Sequence, residues 1–76
     1  MVHAYVTVIT GTGASPAVVE ALRALDHVTE AHVITGAYDV LIELEVDDIS
    51  QILDLVASEI GALDGVGTTR TYIALD

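Results

Sequence analysis

The 76-residue chain has no cysteine, no lysine, no tryptophan, no phenylalanine and a single proline. Without cysteine, disulfides and thiolate metal sites are excluded together. Without lysine, Arg23 and Arg70 are the only fixed cations against 12 Asp and Glu, and the formal net charge is -10. That field repels phosphate, so direct DNA or RNA binding by this chain is excluded, and anionic membrane surfaces are disfavoured. No apolar run approaches the ~20 residues of a membrane span. The N-terminus has no basic region leading into an apolar stretch, so no targeting signal is expected and the expected location is cytoplasmic. Self-repulsion destabilises the compact state at low salt, and salt relieves it because the Debye length falls to about 3 Å at 1 M. The composition therefore points to a halophilic cytoplasm, with an ordinary acidic domain as the alternative.

What is present is apolar surface, with 53% of residues hydrophobic. Residues 1–76 make one small domain, and a chain this size buries only roughly 60% of the surface its unfolded form exposes. Having neither disulfides nor a visible metal site, it is expected to gain stability by oligomerising.

The pattern reads as β-α-β-β-α-β. "HAYVTVIT" (residues 3–10) alternates as a strand. After "GTGAS", Ser15 is expected to cap a helix with Pro16 at its first position, and Val18, Leu22 and Leu25 lie on one face of that helix, which runs to about Asp26. "VTEAHVIT" (28–35) and "VLIELEV" (40–46) are strands joined by the Gly36 turn. Asp48 and Gln51 form a capping box for a second helix whose stripe is Ile49, Ile52, Leu53, Val56 and Ile60. "TTRTYIAL" (68–75) is the last strand. Two helices on one face of a four-stranded antiparallel sheet give an α+β, ferredoxin-like sandwich with strand order 4-1-3-2. The other sheet face carries Leu41 beside Glu43, Glu45, Tyr72, Tyr5, Thr7 and Ile9, and is expected to meet a second sheet.

Most polar motifs have plain explanations. "GTGAS" precedes a helix N-terminus, where phosphates bind, but it lacks the P-loop lysine, and Pro16 stands where a third glycine belongs. His3, His27 and His32 are not spaced as metal ligands. No serine, histidine or aspartate lies in a nucleophile-elbow or triad context. Two groupings keep a binding interpretation. In "GAYD", Gly36 can take positive φ and bring backbone N–H groups close to a ligand, Tyr38 can wall a pocket and Asp39 can accept from an ammonium group. In "TTRTY", Arg70 can clamp a carboxylate beside Thr68, Thr69 and Thr71. An α-amino acid offers both charges. The alternative is that Asp39 orders its own turn and Arg70 pairs with a nearby glutamate.

"TGAYDVLIELEVDDISQI", followed by "GVGTTRTYIAL", resembles the ligand-binding (RAM) domain of the Lrp/AsnC transcriptional regulators along essentially the whole chain. The resemblance implies sheet-to-sheet homodimers assembling into rings, commonly octamers, with an amino-acid effector bound at subunit interfaces near the Gly-x-Tyr-Asp turn. By motif position it makes Gly36, Ala37, Tyr38 and Asp39 effector-loop candidates, joined by Thr69, Arg70, Thr71 and Tyr72 of the last strand. It implies no cofactor, no metal and no enzymatic activity. The chain starts at the first sensor strand without a helix-turn-helix domain, so it resembles the stand-alone form, and any DNA-directed role would pass through full-length regulators. The alternatives are a ligand-free interaction module in mixed assemblies with such regulators, or a small dimeric α/β-barrel enzyme using Glu43, Glu45 and His32.

Overall fold

A computed structural model describes all 76 residues, Met1–Asp76. The elements are β1 (Val2–Thr10), α1 (Ser15–Arg23), β2 (Val28–Val33), β3 (Val40–Val46), α2 (Ile49–Asp54) and β4 (Val66–Ile73), with α2 continuing as a π-helical segment over Leu55–Ile60. The sheet is antiparallel in the order β2-β3-β1-β4, which is the expected 4-1-3-2 order read from the other edge.

Alternation along the strands decides what is buried. Ala4, Val6 and Val8 of β1 and Val40, Ile42, Leu44 and Val46 of β3 face the helices, and all seven are buried. Val18, Val19 and Leu22 of α1 close over them from one side, and Ile52, Leu55 and Ile60 from the other. The core holds no polar side chain. Gly65 (φ +91°) lets the last loop pass under α1, since a Cβ there would lie 2.9 Å from the Ala14 Cβ.

Three local expectations are corrected. Ser15 is the first helical residue and not the cap: Ala14 holds that position with no side-chain bond, while the Ser15 hydroxyl lies 2.6 Å from that of Thr10. The helix also stops at Arg23, because the N–H groups of Ala24 and Leu25 fold back to Ala21 and Leu22 in tightened turns. The second helix keeps its capping box, in which Asp48 accepts from Ser50 N and Gln51 accepts from Asp48 N. Its stripe, however, is rotated. Ile49 and Leu53 stay 52% and 72% exposed while Leu55 is buried. Leu55 and Ile60 are five residues apart, and the Gly61 N–H bonds to Val56 O, the i→i+5 repeat of a π-helix. A 3.6-residue period cannot anticipate that widening.

Candidate effector site

The Gly36–Asp39 turn is anchored to β1 rather than to itself. Asp39 N–H donates to Val8 O at 2.9 Å, Asp39 O accepts from Ile34 N–H at 2.8 Å, and the Asp39 carboxylate accepts from Thr10 N–H at 2.9 Å. The carboxylate therefore satisfies the last N–H of β1, 29 residues away in sequence. Strand order explains the contact: β1 lies beside β3 in antiparallel register, so the end of one meets the start of the other. Thr10 belongs to neither polar motif, yet the strand order 4-1-3-2 puts it next to Asp39.

With Asp39 fixed, the rest of the turn is left presented. Gly36 takes φ +131°, a conformation that side-chain-bearing residues rarely adopt. The N–H groups of Gly36, Ala37 and Tyr38 make no hydrogen bond within the chain. Tyr38 is half-buried. Three successive free amides, a half-buried aromatic ring and a carboxylate thus lie within one four-residue turn.

The last-strand candidates divide. Thr69 pairs with Val8 across β1 from Val40, so it shares the end of the sheet where the turn lies. Arg70 pairs with Thr7 and Tyr72 with Tyr5, which places both on the open sheet face. Thr71 faces the helix side and lines an apolar groove of about 400 Å³ with Ile49, Leu53, Val56 and Ile73. One strand cannot turn Arg70 and Thr71 to the same ligand. Arg70 also forms no ion pair, whereas Arg23 is committed, donating to Ala31 O through Nε and Nη2 at 3.1 and 2.8 Å and lying 3.8 Å from Glu20.

A family model described as the Lrp/AsnC ligand binding domain matches residues 3–76. The chain belongs to the Lrp/AsnC ligand-binding domain family. The leucine-responsive regulatory protein of Haemophilus influenzae is 32% identical over 56 residues, covering 74% of this chain and 34% of that protein. The chain thus spans about a third of the length of the curated relatives it matches. A solved structure from Thermus thermophilus superposes with a TM-score of 0.95 at 30% identity, covering 100% of this chain and 95% of that one. Escherichia coli AsnC gives 0.91 at 28% identity, covering 99% of this chain and 51% of AsnC.

In this Lrp/AsnC domain the open sheet face is polar as well as apolar. His3 Nδ1 lies 4.0 and 3.8 Å from the carboxylates of Glu43 and Glu45. His32 Nε2 lies 3.0 Å from Glu30, and that hydrogen bond is the main cause holding the Glu30 carboxyl below its ordinary value. Tyr5, Glu30, His32, Leu41 and Glu43 line a shallow pit of about 170 Å³ on this face. The Thr7 hydroxyl is buried there without a partner. No group of three or more His, Asp or Glu side chains converges as a metal site.

Proposed function

We propose that this domain is a non-enzymatic sensor of a small amino acid, with the effector held at the Gly36–Asp39 turn at a junction between subunits. The observation that carries the reading is the row of free amides at Gly36, Ala37 and Tyr38, beside a carboxylate fixed by Thr10. The amides suit the effector's carboxylate, and the outward oxygen of Asp39 suits its ammonium group. Tyr38 walls the apolar part, and Thr69 is the last-strand residue at the same end of the sheet. The name of the leucine-responsive relative supports an amino acid as the effector class, and regulators predominate among the relatives. A cradle open on its outer side gains affinity when a neighbouring subunit completes it, so binding and assembly are linked.

A thermal-shift and calorimetric screen of the twenty amino acids, at low and high salt, tests the reading. Stabilisation by one or a few of them is expected, and it should be lost in Tyr38→Ala. If none binds at any salt, or if Tyr38→Ala binds as well as the parent, the effector assignment fails. The mixed-assembly alternative is supported by the exposed apolar residues Tyr5, Ile9 and Tyr72 on the open face. It expects association with regulators carrying the same domain and no response to any amino acid.

A further inference from the structure

The two edges of the sheet are finished differently. On β2 the Ala31 carbonyl, directed away from β3, is occupied by Arg23, whose Nε and Nη2 donate to it at 3.1 and 2.8 Å. The β4 edge has no such guard, and β4 carries neither the proline nor the lysine that commonly blunt an exposed edge. Ala74 N–H donates to His3 O at 2.9 Å, so by the alternation of an antiparallel ladder Tyr72 and Arg70 also turn their backbone groups towards β1. The N–H and C=O groups of Thr71 and Ile73 then point outward, where β4 has no neighbouring strand. The same two residues direct their side chains to the helix side, into the apolar groove of about 400 Å³ whose other wall is Ile49, Leu53, Val56 and Ala57. A free hydrogen-bonding edge and an apolar trough therefore coincide at Thr71–Ile73.

We propose that this edge and groove receive an extended segment of another protein, added as a fifth strand beside β4, with apolar side chains at alternate positions and basic residues flanking them. A strand added about 4.8 Å beyond β4 carries its helix-side residues beneath the exposed Ile49 and Leu53. Its main chain bonds to Thr71 and Ile73, and the groove accepts only every second side chain, so attachment and selection use the same contact. The surrounding charge decides the flanks. At 3.6 residues per turn, Ser50 and Asp54 border the apolar face of α2 on its solvent side. Asp47, Asp48, Glu59 and Asp64 are exposed before, along and after the same helical stretch, and no Lys or Arg occurs between Arg23 and Arg70. Arg70 itself lies on the open sheet face, away from the groove. A second copy is the wrong occupant, because joining β4 to β4 sets two such acidic helices side by side. The groove is also distinct from the Gly36–Asp39 turn, which abuts Val8 and Thr10 at the other end of β1, so the docking does not depend on the effector reading.

Fluorescence anisotropy on the full chain tests the docking with a labelled, end-blocked peptide, Lys-Thr-Val-Thr-Val-Thr-Lys. Saturable binding is expected. Glu-Thr-Val-Thr-Val-Thr-Glu should bind about tenfold more weakly. So should Lys-Thr-Thr-Val-Val-Thr-Lys, which keeps the charge but cannot turn both valines to one side. Asp54→Lys, at an exposed position, should narrow or invert the preference for the lysine peptide over the glutamate one. Thr71→Pro deletes one outward N–H and spares the ladder bonds made by Arg70 and Tyr72, and it should weaken binding about three- to tenfold. Circular dichroism confirms that each variant folds. Amide hydrogen exchange on the parent gives a measurement that needs no variant: the Thr71 and Ile73 amides should become protected when the lysine peptide is added. If the lysine peptide does not bind, or binds no better than the other two, the assignment fails. If it binds while Thr71 and Ile73 exchange as before, the groove takes something other than a strand and the assignment fails equally. Protection of those amides without peptide, rising with protein concentration, would give the edge to a second copy and overturn it.

Discussion

Replacing Asp39 separates architecture from ligand binding. In the parent, its carboxylate accepts from the Thr10 N–H at 2.9 Å, and its own N–H and C=O join Val8 and Ile34. Only the first of these bonds uses the side chain, so Asp39→Ala removes one charge-assisted bond and leaves the last N–H of β1 without its acceptor. Hydrogen bonds to charged groups contribute about 1.5–3 kcal/mol. Asp39 is half-buried, so water can replace part of the loss, and about 1–2 kcal/mol is expected. For a domain of this size that corresponds to a fall in Tm of about 5–12 °C. Asp39→Asn keeps an acceptor and loses the charge, and should lie near the midpoint. Melting is followed by circular dichroism at one protein concentration, because any assembly makes Tm depend on concentration. If Asp39→Ala melts within about 1 °C of the parent, the latch has no energetic role. The carboxylate would then be free for the effector alone. If Asp39→Asn melts near the parent but loses the amino-acid response, both roles hold at once.

Other perturbations follow from the same geometry. Gly36→Ala should cost about 1–2 kcal/mol from backbone strain at φ +131° alone, because a Cβ there meets nothing within 4 Å. Gly65→Ala should cost more, adding a 2.9 Å clash with Ala14 to the strain of φ +91°, and parallel denaturant titrations give the order. Ile42→Ala, at a fully buried centre of the sheet, should cost about 2–5 kcal/mol by the same measurement. The Glu30 carboxyl is lowered in the fold, first by its bond to His32, so its contribution is fully present above the ordinary glutamate value and is lost as pH falls through the lowered one. Parent and Glu30→Gln should therefore differ at neutral pH and converge in acid, and a difference that widens in acid would contradict that sign. With a net charge of -10 per chain, assembly should strengthen as salt rises, and sedimentation showing smaller species at about 1 M salt than at about 0.1 M would refute it.

The architecture was legible because each strand states its two faces in period two, and β3 does so without exception: Val40, Ile42, Leu44 and Val46 in, Leu41, Glu43 and Glu45 out. The capping box at Asp48 was legible because its two partners are three residues apart. What the sequence hid has a common physical form, a decision made by a distant group. Thr10 fixes Asp39 from another strand, and Ala31 engages Arg23 from the neighbouring strand. The π-helical segment that follows Asp54 keeps Ile60 buried five residues after Leu55, a spacing that a 3.6-residue period does not contain. The site divides along the same line. "GAYD" is contiguous, so its free amides are a local property of the turn and could be foreseen from Gly36. "TRTY" is contiguous only in sequence, since alternation sends Arg70 and Tyr72 to one face and Thr71 to the other. An arginine read as a carboxylate clamp for the turn stands instead on the open face beside Thr7, with no ion pair in its own chain.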